Sequence, residues 1–340
     1  MADRVLLTGI SGFIGGHVAL ELLRQGFIVR GSVRDLRKAA KVRDTLQRAG
    51  ADISRLEFVA LDLLSDAGWA EAMADVRYLQ HTASPFVTRE PRDRMELVRP
   101  AVEGTRRALS AGLAAGVERI VLTSSIAAIM YGHDKTRTAP FTAADWTDLD
   151  GPGVTAYTES KTRAERLAWE LVDHAGRHEA LAVINPGVVF GPLLDEDPGT
   201  SVGLLKRFFD GSLPAAARVW FIIVDVRDVA AAHVAAMTTP AAGGQRFPLG
   251  AATLSFMEIG AILRAAFPAY AGKMPRFALP DWVVRLAAFA DADIRGNVGE
   301  LGIIRRTDPA PAAALIGRDL ISAADAAIAS GRSLMEQRLV

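Results

Sequence analysis

Two hydrophobic patterns alternate through the first half of the chain. Short apolar runs, typical of buried parallel strands, are followed by longer segments with apolar positions at helical spacing. The predicted elements are, in chain order, strand 5–8, helix 12–24, strand 27–33, helix 36–48, strand 56–61, strand 78–81, helix 94–115, strand 118–123, helix 157–174 and strand 180–184. This alternation predicts an α/β fold with a Rossmann-type, doubly wound parallel sheet.

The pattern changes after Asn185. Glycine, proline and acidic residues are frequent over 186–200, and prolines separate the later elements. A strand and a capped, alanine-rich helix are predicted within residues 219–240, and we expect this segment to return to the sheet. We therefore expect a sheet domain, residues 1–185 with about 219–240, and a smaller C-terminal lobe, residues 186–218 and 241–340.

Composition narrows the function classes. The chain has 340 residues, of which 50% are hydrophobic, and Lys plus Arg equals Asp plus Glu at 39 each. Without a net charge we expect neither a nucleic-acid nor a membrane partner. The absence of cysteine excludes disulfides and cysteine chemistry. We recognise no targeting segment and no apolar run of the roughly 20 residues that cross a bilayer, so a cytoplasmic location is expected. Monomer and homodimer both stay open.

A glycine pattern lies between the first predicted strand and helix. Gly9, Gly12 and Gly15 have the spacing of a dinucleotide-binding turn, and Phe13 and Ile14 lie within it. Glycine allows a tight turn and close approach of the backbone to a pyrophosphate, and the helix N-terminus favours its charge. An ordinary glycine turn is the alternative, but the position after a strand favours cofactor binding by these five residues.

The end of the second strand indicates which dinucleotide binds. An NAD enzyme is expected to place a carboxylate there against the ribose hydroxyls, whereas this chain has Arg34. A guanidinium can bind the 2′-phosphate of NADP(H), and Lys41 could add a second cation. These cations could instead belong to a solvated surface, and Asp35 could still bind a ribose. The sequence favours NADP(H).

Tyr157 and Lys161 are four residues apart at the start of a predicted helix, on one face of it. A free phenol has a pKa of about 10, and a neighbouring ammonium and an oxidised nicotinamide would favour the phenolate. Tyr157 is therefore the predicted acid/base, with Lys161 tuning it and holding the nicotinamide ribose. Ser125 lies past the end of a predicted strand, further than Ser124, and is predicted to hydrogen-bond the substrate oxygen.

Several segments together resemble the extended branch of the short-chain dehydrogenase/reductases, within the NAD-dependent epimerase/dehydratase family. The resemblance is closest to the dihydroflavonol reductase and cinnamoyl-CoA reductase group and its bacterial and yeast carbonyl reductase relatives. The segments that carry it are TGISGFIG (8–15), SVRD (32–35), ALDLL (60–64), HTASP (81–85), LTSSIAAI (122–129), YTESK (157–161) and NPGVVFGP (185–192).

The resemblance implies further cofactor contacts and supports Ser125, Arg34 and Lys41 in their roles. Residues near the adenine, along the cofactor and near the nicotinamide are implied to be Asp62, Leu63, Thr82, Ala83, Ser84, Pro186, Gly187 and Val189. It also implies that the sheet domain binds NADP(H) and that the C-terminal lobe covers the substrate. Residues 307–315 depart from the usual polar helix of the family, so the substrate stays open.

Two histidines and two aspartates have other interpretations. His174 and His178 have metal-ligand spacing, but without a third ligand we expect no metal site. Asp225 and Asp228 resemble an acid pair, although the helix that follows makes capping the better interpretation.

These observations predict reversible reduction of an aldehyde or ketone by NADPH. Phe86, Ile126 and Leu193 are apolar candidates for contact with the substrate, which favours a hydrophobic or aromatic carbonyl compound. Two alternatives remain: an epimerase or dehydratase of sugar nucleotides that retains NAD, and a non-catalytic NADPH sensor. The combination of Ser125, Tyr157 and Lys161 favours catalysis.

Overall fold

Seven parallel strands form the centre of the computed structural model, which describes residues 2–85, 91, 93–213, 215–290 and 298–340. The strands in chain order are β1 (Arg4–Thr8), β2 (Ile28–Val33), β3 (Leu56–Ala60), β4 (Tyr78–His81), β5 (Arg119–Thr123), β6 (Leu181–Pro186), β7 (Val188–Phe190), β8 (Trp220–Asp225), β9 (Gln245–Leu249) and β10 (Ala252–Ser255). The large sheet has the order β3-β2-β1-β4-β5-β6-β9. This confirms the Rossmann-type α/β fold, and the order reverses between β1 and β4, where ligands bind in such sheets.

Helices cover both faces of this sheet. They are α1 (Phe13–Arg24), α2 (Ala39–Arg48), α3 (Trp69–Ala72), α4 (Met95–Ala114), α5 (Ala156–His174), α6 (Gly199–Phe209), α7 (Val226–Thr238), α8 (Phe256–Ala266), α9 (Asp281–Ala290), α10 (Ala310–Ile316) and α11 (Ala323–Glu336). Alternate residues of β1 pack into hydrophobic cores on opposite faces of the sheet. Val5 and Leu7 pack with α1 and α7, whereas Leu6 packs with α4 and α5. Within the described part of the chain, no helix is long and apolar enough to cross a membrane.

A second, three-stranded sheet has the order β10-β8-β7. The segment 219–240 differs from our expectation here, because its strand β8 joins this sheet and only its helix α7 packs against the large one. The seventh strand of the large sheet is β9, which we had assigned to the lobe. Its sequence, QRFPL, carries a buried Arg246 and a proline, and an edge position tolerates both better than a central strand does.

Candidate active site

The turn between β1 and α1 leaves no room for side chains at two glycines. Gly9 has a φ of +74°, and a Cβ there would lie 2.8 Å from the backbone nitrogen of Ala83. A Cβ on Gly15 would lie 2.1 Å from the carbonyl oxygen of Gly9. Glycine at both positions therefore lets the turn pack closely against the chain after β4 and against α1.

The start of α1 has the properties of an anion site. Gly12 is the N-cap of α1, all of whose residues are described. No side chain caps this helix, and its first turn contains no acidic residue. Backbone N–H groups at a helix start carry a partial positive charge, so this end of α1 fits a pyrophosphate.

A cavity of about 430 Å³ opens beside this turn. Eight residues predicted to bind the cofactor line it: Gly9, Gly12, Arg34, Asp62, Leu63, Thr82, Ala83 and Ser84. Ser11, Lys38 and Trp69 also line it and were missed by the sequence analysis. Phe13, Ile14 and Gly15 lie in the adjoining first turn of α1 rather than in the cavity wall.

Two cations in the chain that follows β2 line this cavity, Arg34 and Lys38. Asp35 turns the chain between them, since its Oδ1 accepts a hydrogen bond of 2.9 Å from the backbone nitrogen of Arg37. The Arg37 guanidinium also pairs with this carboxylate and lowers its pKa. Asp35 is thus engaged with its own turn, which weakens the alternative that it binds a ribose.

Lys41, which we predicted as a second cation for the 2′-phosphate, does not line the cavity. Its Nζ lies 3.1 Å from Glu196 Oε1 and 3.4 Å from Asp195 Oδ2, so Lys41 links α2 to the loop after β7. Both carboxylates raise the pKa of Lys41. The chain after the turn at Asp35 places Lys38, and not Lys41, at the cavity that Arg34 lines. A short turn of this kind leaves little signal in hydrophobic periodicity.

The chain after β4 is fixed to the end of β1. Thr82 Oγ1 donates a hydrogen bond of 2.6 Å to the carbonyl oxygen of Thr8, and the backbone nitrogen of Ala83 donates one of 3.2 Å to Thr8 Oγ1. The same hydroxyl lies 2.8 Å from His81 Nδ1. These bonds hold residues 82–84 at the cavity wall.

The two serines after β5 have different partners. Ser124 Oγ donates a hydrogen bond of 2.5 Å to the buried carboxylate of Glu165. Ser125 Oγ accepts one of 3.1 Å from the backbone nitrogen of Ala127, and the Ser125 hydroxyl is near enough to Tyr157 to lower the pKa of its phenol. Ser125 is therefore the serine that faces the tyrosine.

Tyr157 and Lys161 lie at the start of α5, which begins at Ala156 because Thr155 forms a capping box. Lys161 Nζ lies 5.9 Å from the centroid of the Tyr157 ring. Burial lowers the pKa of Lys161 to about 8. Burial also raises the pKa of Tyr157, against the lowering effect of Ser125. We expected the ammonium to lower this pKa; in the protein alone desolvation dominates, and the phenol is protonated at neutral pH.

The segment after β6 adjoins these groups. The carbonyl oxygen of Pro186 lies 3.5 Å from Ser125 Oγ. A Cβ on Gly187 would lie 2.3 Å from the carbonyl oxygen of Ile222, so only glycine lets the two sheets meet there. Val189 is buried in the sheet core, which leaves its backbone as the part available to a cofactor.

The three residues predicted to contact substrate have different positions. Ile126 directly follows Ser125 and is buried. Leu193 packs into the apolar core of the C-terminal lobe, so the structure does not support its side chain as part of a substrate pocket. Phe86 lies outside the described residues.

Tyr131 is a candidate that the sequence analysis missed. It is near enough to Tyr157 that the two phenols influence each other, although burial is the largest cause of the raised pKa of Tyr131. The guanidinium of Arg305 lies 4.8 Å above the Tyr131 ring and forms an ion pair with Glu300. The C-terminal lobe therefore reaches the neighbourhood of Tyr157, through contacts between distant segments that no local pattern encodes.

Asp225 caps α7 as we expected, whereas Asp228 lies within the first turn of this helix, and its Oδ2 accepts a hydrogen bond of 2.7 Å from the backbone nitrogen of Ile321. Asp225 Oδ1 accepts a hydrogen bond of 2.8 Å from the backbone nitrogen of Arg227.

The two histidines with metal-ligand spacing have protein partners. His178 Nδ1 lies 2.6 Å from Asp173, and His174 Nδ1 lies 2.7 Å from the carbonyl oxygen of Glu170. Among the described residues there is no group of three or more candidate metal ligands.

Comparison with known proteins gives consistent matches. The model of the NAD dependent epimerase/dehydratase family matches residues 5–250. Cinnamoyl-CoA reductase 1 of Oryza sativa subsp. japonica is 35% identical over 268 residues, which cover 78% of this chain and 76% of the rice protein. Ketoreductase azaE of Aspergillus niger is 33% identical over 302 residues, covering 83% and 87%. The structure of yeast methylglyoxal/isovaleraldehyde reductase Gre2 complexed with NADPH shares the fold, with a TM-score of 0.80, 24% identity and coverage of 99% and 100%.

These matches confirm the resemblance to extended short-chain dehydrogenase/reductases, and with it the expected oxidoreductase class and nicotinamide cofactor. The family match spans the glycine turn, Ser125, Tyr157 and Lys161. This chain belongs to the NAD dependent epimerase/dehydratase family.

Proposed function

We propose that this protein is an NADPH-dependent reductase that converts an aldehyde or ketone to an alcohol, reversibly, with Tyr157 as the acid/base. The observation that carries the proposal is the position of the Ser125 hydroxyl next to the Tyr157 phenol, with the buried Lys161 one helical turn further along α5. A protonated phenol beside a second hydroxyl is suited to bind and protonate a carbonyl oxygen.

The cavity beside the glycine turn fits the dinucleotide. The start of α1 would hold the pyrophosphate, and Asp62 and Leu63 would lie near the adenine. Arg34 and Lys38 favour NADPH because both can bind the 2′-phosphate, whereas Asp35 is occupied by Arg37. When bound, the cofactor supplies the hydride.

The side chains supply the remaining steps. The Ser125 hydroxyl donates a hydrogen bond to the substrate oxygen, and Tyr157 gives this oxygen its phenolic proton as the carbonyl carbon receives the hydride. The product is the alcohol and a Tyr157 phenolate, which the Lys161 ammonium stabilises until a proton arrives from solvent. In the oxidative direction the phenolate accepts the proton.

We infer a hydrophobic or aromatic substrate, held between the sheet and the C-terminal lobe. Ile126 and the ring of Tyr131 support an apolar pocket next to Tyr157. The relatives are named for the reduction of cinnamoyl-CoA and of ketones, which is consistent with a carbonyl carried by an apolar group.

A panel of aliphatic and aromatic aldehydes and ketones, assayed by loss of NADPH absorbance, tests the proposal. We expect turnover with hydrophobic carbonyls and slower turnover with NADH. Tightly retained NAD with no net NADPH oxidation would instead indicate a sugar-nucleotide epimerase or dehydratase. NADPH binding without turnover of any compound would indicate a sensor.

A further inference from the structure

A buried carboxylate lies behind the proposed catalytic residues. Glu165 is four residues after Lys161 on α5, and its side chain is 0% exposed. It accepts hydrogen bonds of 2.5 Å from Ser124 Oγ, 2.7 Å from Asn185 Nδ2 and 2.5 Å from Arg246 Nε. These donors lie just after β5, on β6 and on β9, so one carboxylate joins three parts of the sheet edge to the helix that carries Tyr157 and Lys161.

Arg246 holds this carboxylate in place. Its guanidinium lies 3.8 Å from the centroid of the Trp146 ring, and its Nη1 donates hydrogen bonds of 2.7 Å to the carbonyl oxygens of Ala143 and Asp145. The Trp146 ring packs against the Arg246 guanidinium, and the two carbonyl oxygens accept hydrogen bonds from it. Because the guanidinium is held in this way, Glu165 has little freedom to move.

The network reaches both sides of the catalytic centre. Asn185 Nδ2, which bonds Glu165, also lies 3.3 Å from the carbonyl oxygen of Ser125. On the helix, the charge of Glu165 raises the pKa of Lys161 against the larger lowering effect of burial. The charged and titratable groups around Lys161 are Tyr157 and Glu165 on α5, His81 at the end of β4, and Arg246 on β9 through Glu165.

We propose that Glu165 is a positioning residue: its carboxylate, fixed by Arg246, sets the place of Ser125 relative to Tyr157 and supplies a negative charge one helical turn from Lys161 on α5. Stability alone is a weak explanation for this arrangement, because a buried ion pair often contributes no more to stability than apolar residues of the same volume. The inference rests on the proposed reductase function, in which Ser125, Tyr157 and Lys161 act together.

Glu165→Gln tests the charge while keeping the shape of the side chain. Displacement of a catalytic group by about 1 Å can cost about a hundred-fold in rate, so we expect kcat to fall about ten- to a hundred-fold with little change in the KM for the carbonyl compound. The basic limb of the kcat–pH profile should move down by about one pH unit, because Lys161 loses its proton more easily without this negative charge. Glu165→Asp should restore the position of this limb and only part of the rate.

Glu170→Gln is the matched control, since Glu170 is exposed on the same helix and should leave rate and pH profile unchanged. If Glu165→Gln does not fold, Glu165→Met combined with Arg246→Met removes both charges, leaves neither one unpaired and allows the same profile to be measured. A basic limb at the wild-type pH in either variant would overturn the proposal, as would a loss of thermal stability with unchanged kcat.

Titration of the Lys161 side chain by NMR needs no substrate and separates this inference from the reductase proposal. We expect a lower Lys161 pKa in Glu165→Gln than in the unmodified protein. An unchanged value would overturn the inference even if the enzyme reduces carbonyls. A lowered value in a protein that turns over no carbonyl would support the electrostatic coupling and reject the reductase function.

Discussion

The Ser125 hydroxyl, just after the end of β5, lies next to the Tyr157 phenol at the start of α5 and lowers the pKa of that phenol. The two residues are distant in sequence, and the parallel sheet brings them together because strand ends and helix starts meet at one edge. Burial raises the pKa of this phenol, so it is protonated at neutral pH, which is the form that can donate a proton to a carbonyl oxygen.

Tyr157→Phe should remove the proton donor and keep the ring in its packing. General acid–base catalysis contributes about a hundred- to ten-thousand-fold, so we expect kcat to fall by that amount. The Kd for NADPH, measured by fluorescence titration, should change little. Tyr270→Phe is the control for loss of a phenol elsewhere in the chain. Near-normal turnover by Tyr157→Phe would show that the acid is misassigned.

The buried Lys161 ammonium should serve catalysis but lower the free energy of unfolding at neutral pH. Burial lowers the pKa of Lys161 to about 8 in the folded protein, below the unfolded value of about 10.4. The unfolded state therefore binds more protons between these values, and the contribution of Lys161 to stability rises with pH across that window. At pH 7 the charged form is buried at a cost.

Lys161→Met should consequently abolish turnover and raise the free energy of unfolding at pH 7, on the order of 1–3 kcal/mol. The gain should shrink as the pH rises from about 8 to 10, and denaturant unfolding at several pH values checks this. A variant less stable than the unmodified protein at pH 7 would show that the interactions of the ammonium outweigh its desolvation.

Arg34 and Lys38 should select the cofactor. Removing either cation eliminates a charge-assisted contact with the 2′-phosphate, so Arg34→Ala and Lys38→Ala should each weaken NADPH binding about ten-fold. The affinity for NADH, which lacks this phosphate, should change little. Lys41→Ala is the matched control, because Lys41 pairs with Asp195 and Glu196 instead. Equal loss in all three variants would indicate a general effect of surface charge.

The glycine turn and the Tyr157–Lys161 pair could be predicted from the sequence, because each depends only on residues that are close along the chain. Glycine spacing after a strand and the four-residue interval between Tyr157 and Lys161 are set by backbone geometry within one turn or helix. Lys38 was missed since the turn at Asp35 decides which lysine faces the cavity. Arg246 was missed because a charged residue two positions before a proline does not resemble a buried strand, and only the contact with Glu165 explains its burial.

Leu193 is the residue whose expected role changes most. The sequence suggested a substrate contact, so that its replacement would alter substrate choice. The side chain instead packs in the lobe core with Phe208 and Phe209. Removing buried methyl groups leaves a cavity, and Leu193→Ala should lower the free energy of unfolding by about 2–5 kcal/mol. Leu286→Ala, at an exposed position of the same lobe, should change it by less than about 0.5 kcal/mol.

Thermal unfolding with and without NADPH measures the stability of both variants. The panel of aldehydes and ketones is then assayed with the folded protein. Relative kcat/KM values across the panel should stay unchanged in Leu193→Ala, because the side chain acts through the stability of the lobe. A native melting temperature with an altered order of substrates would place Leu193 at the substrate after all.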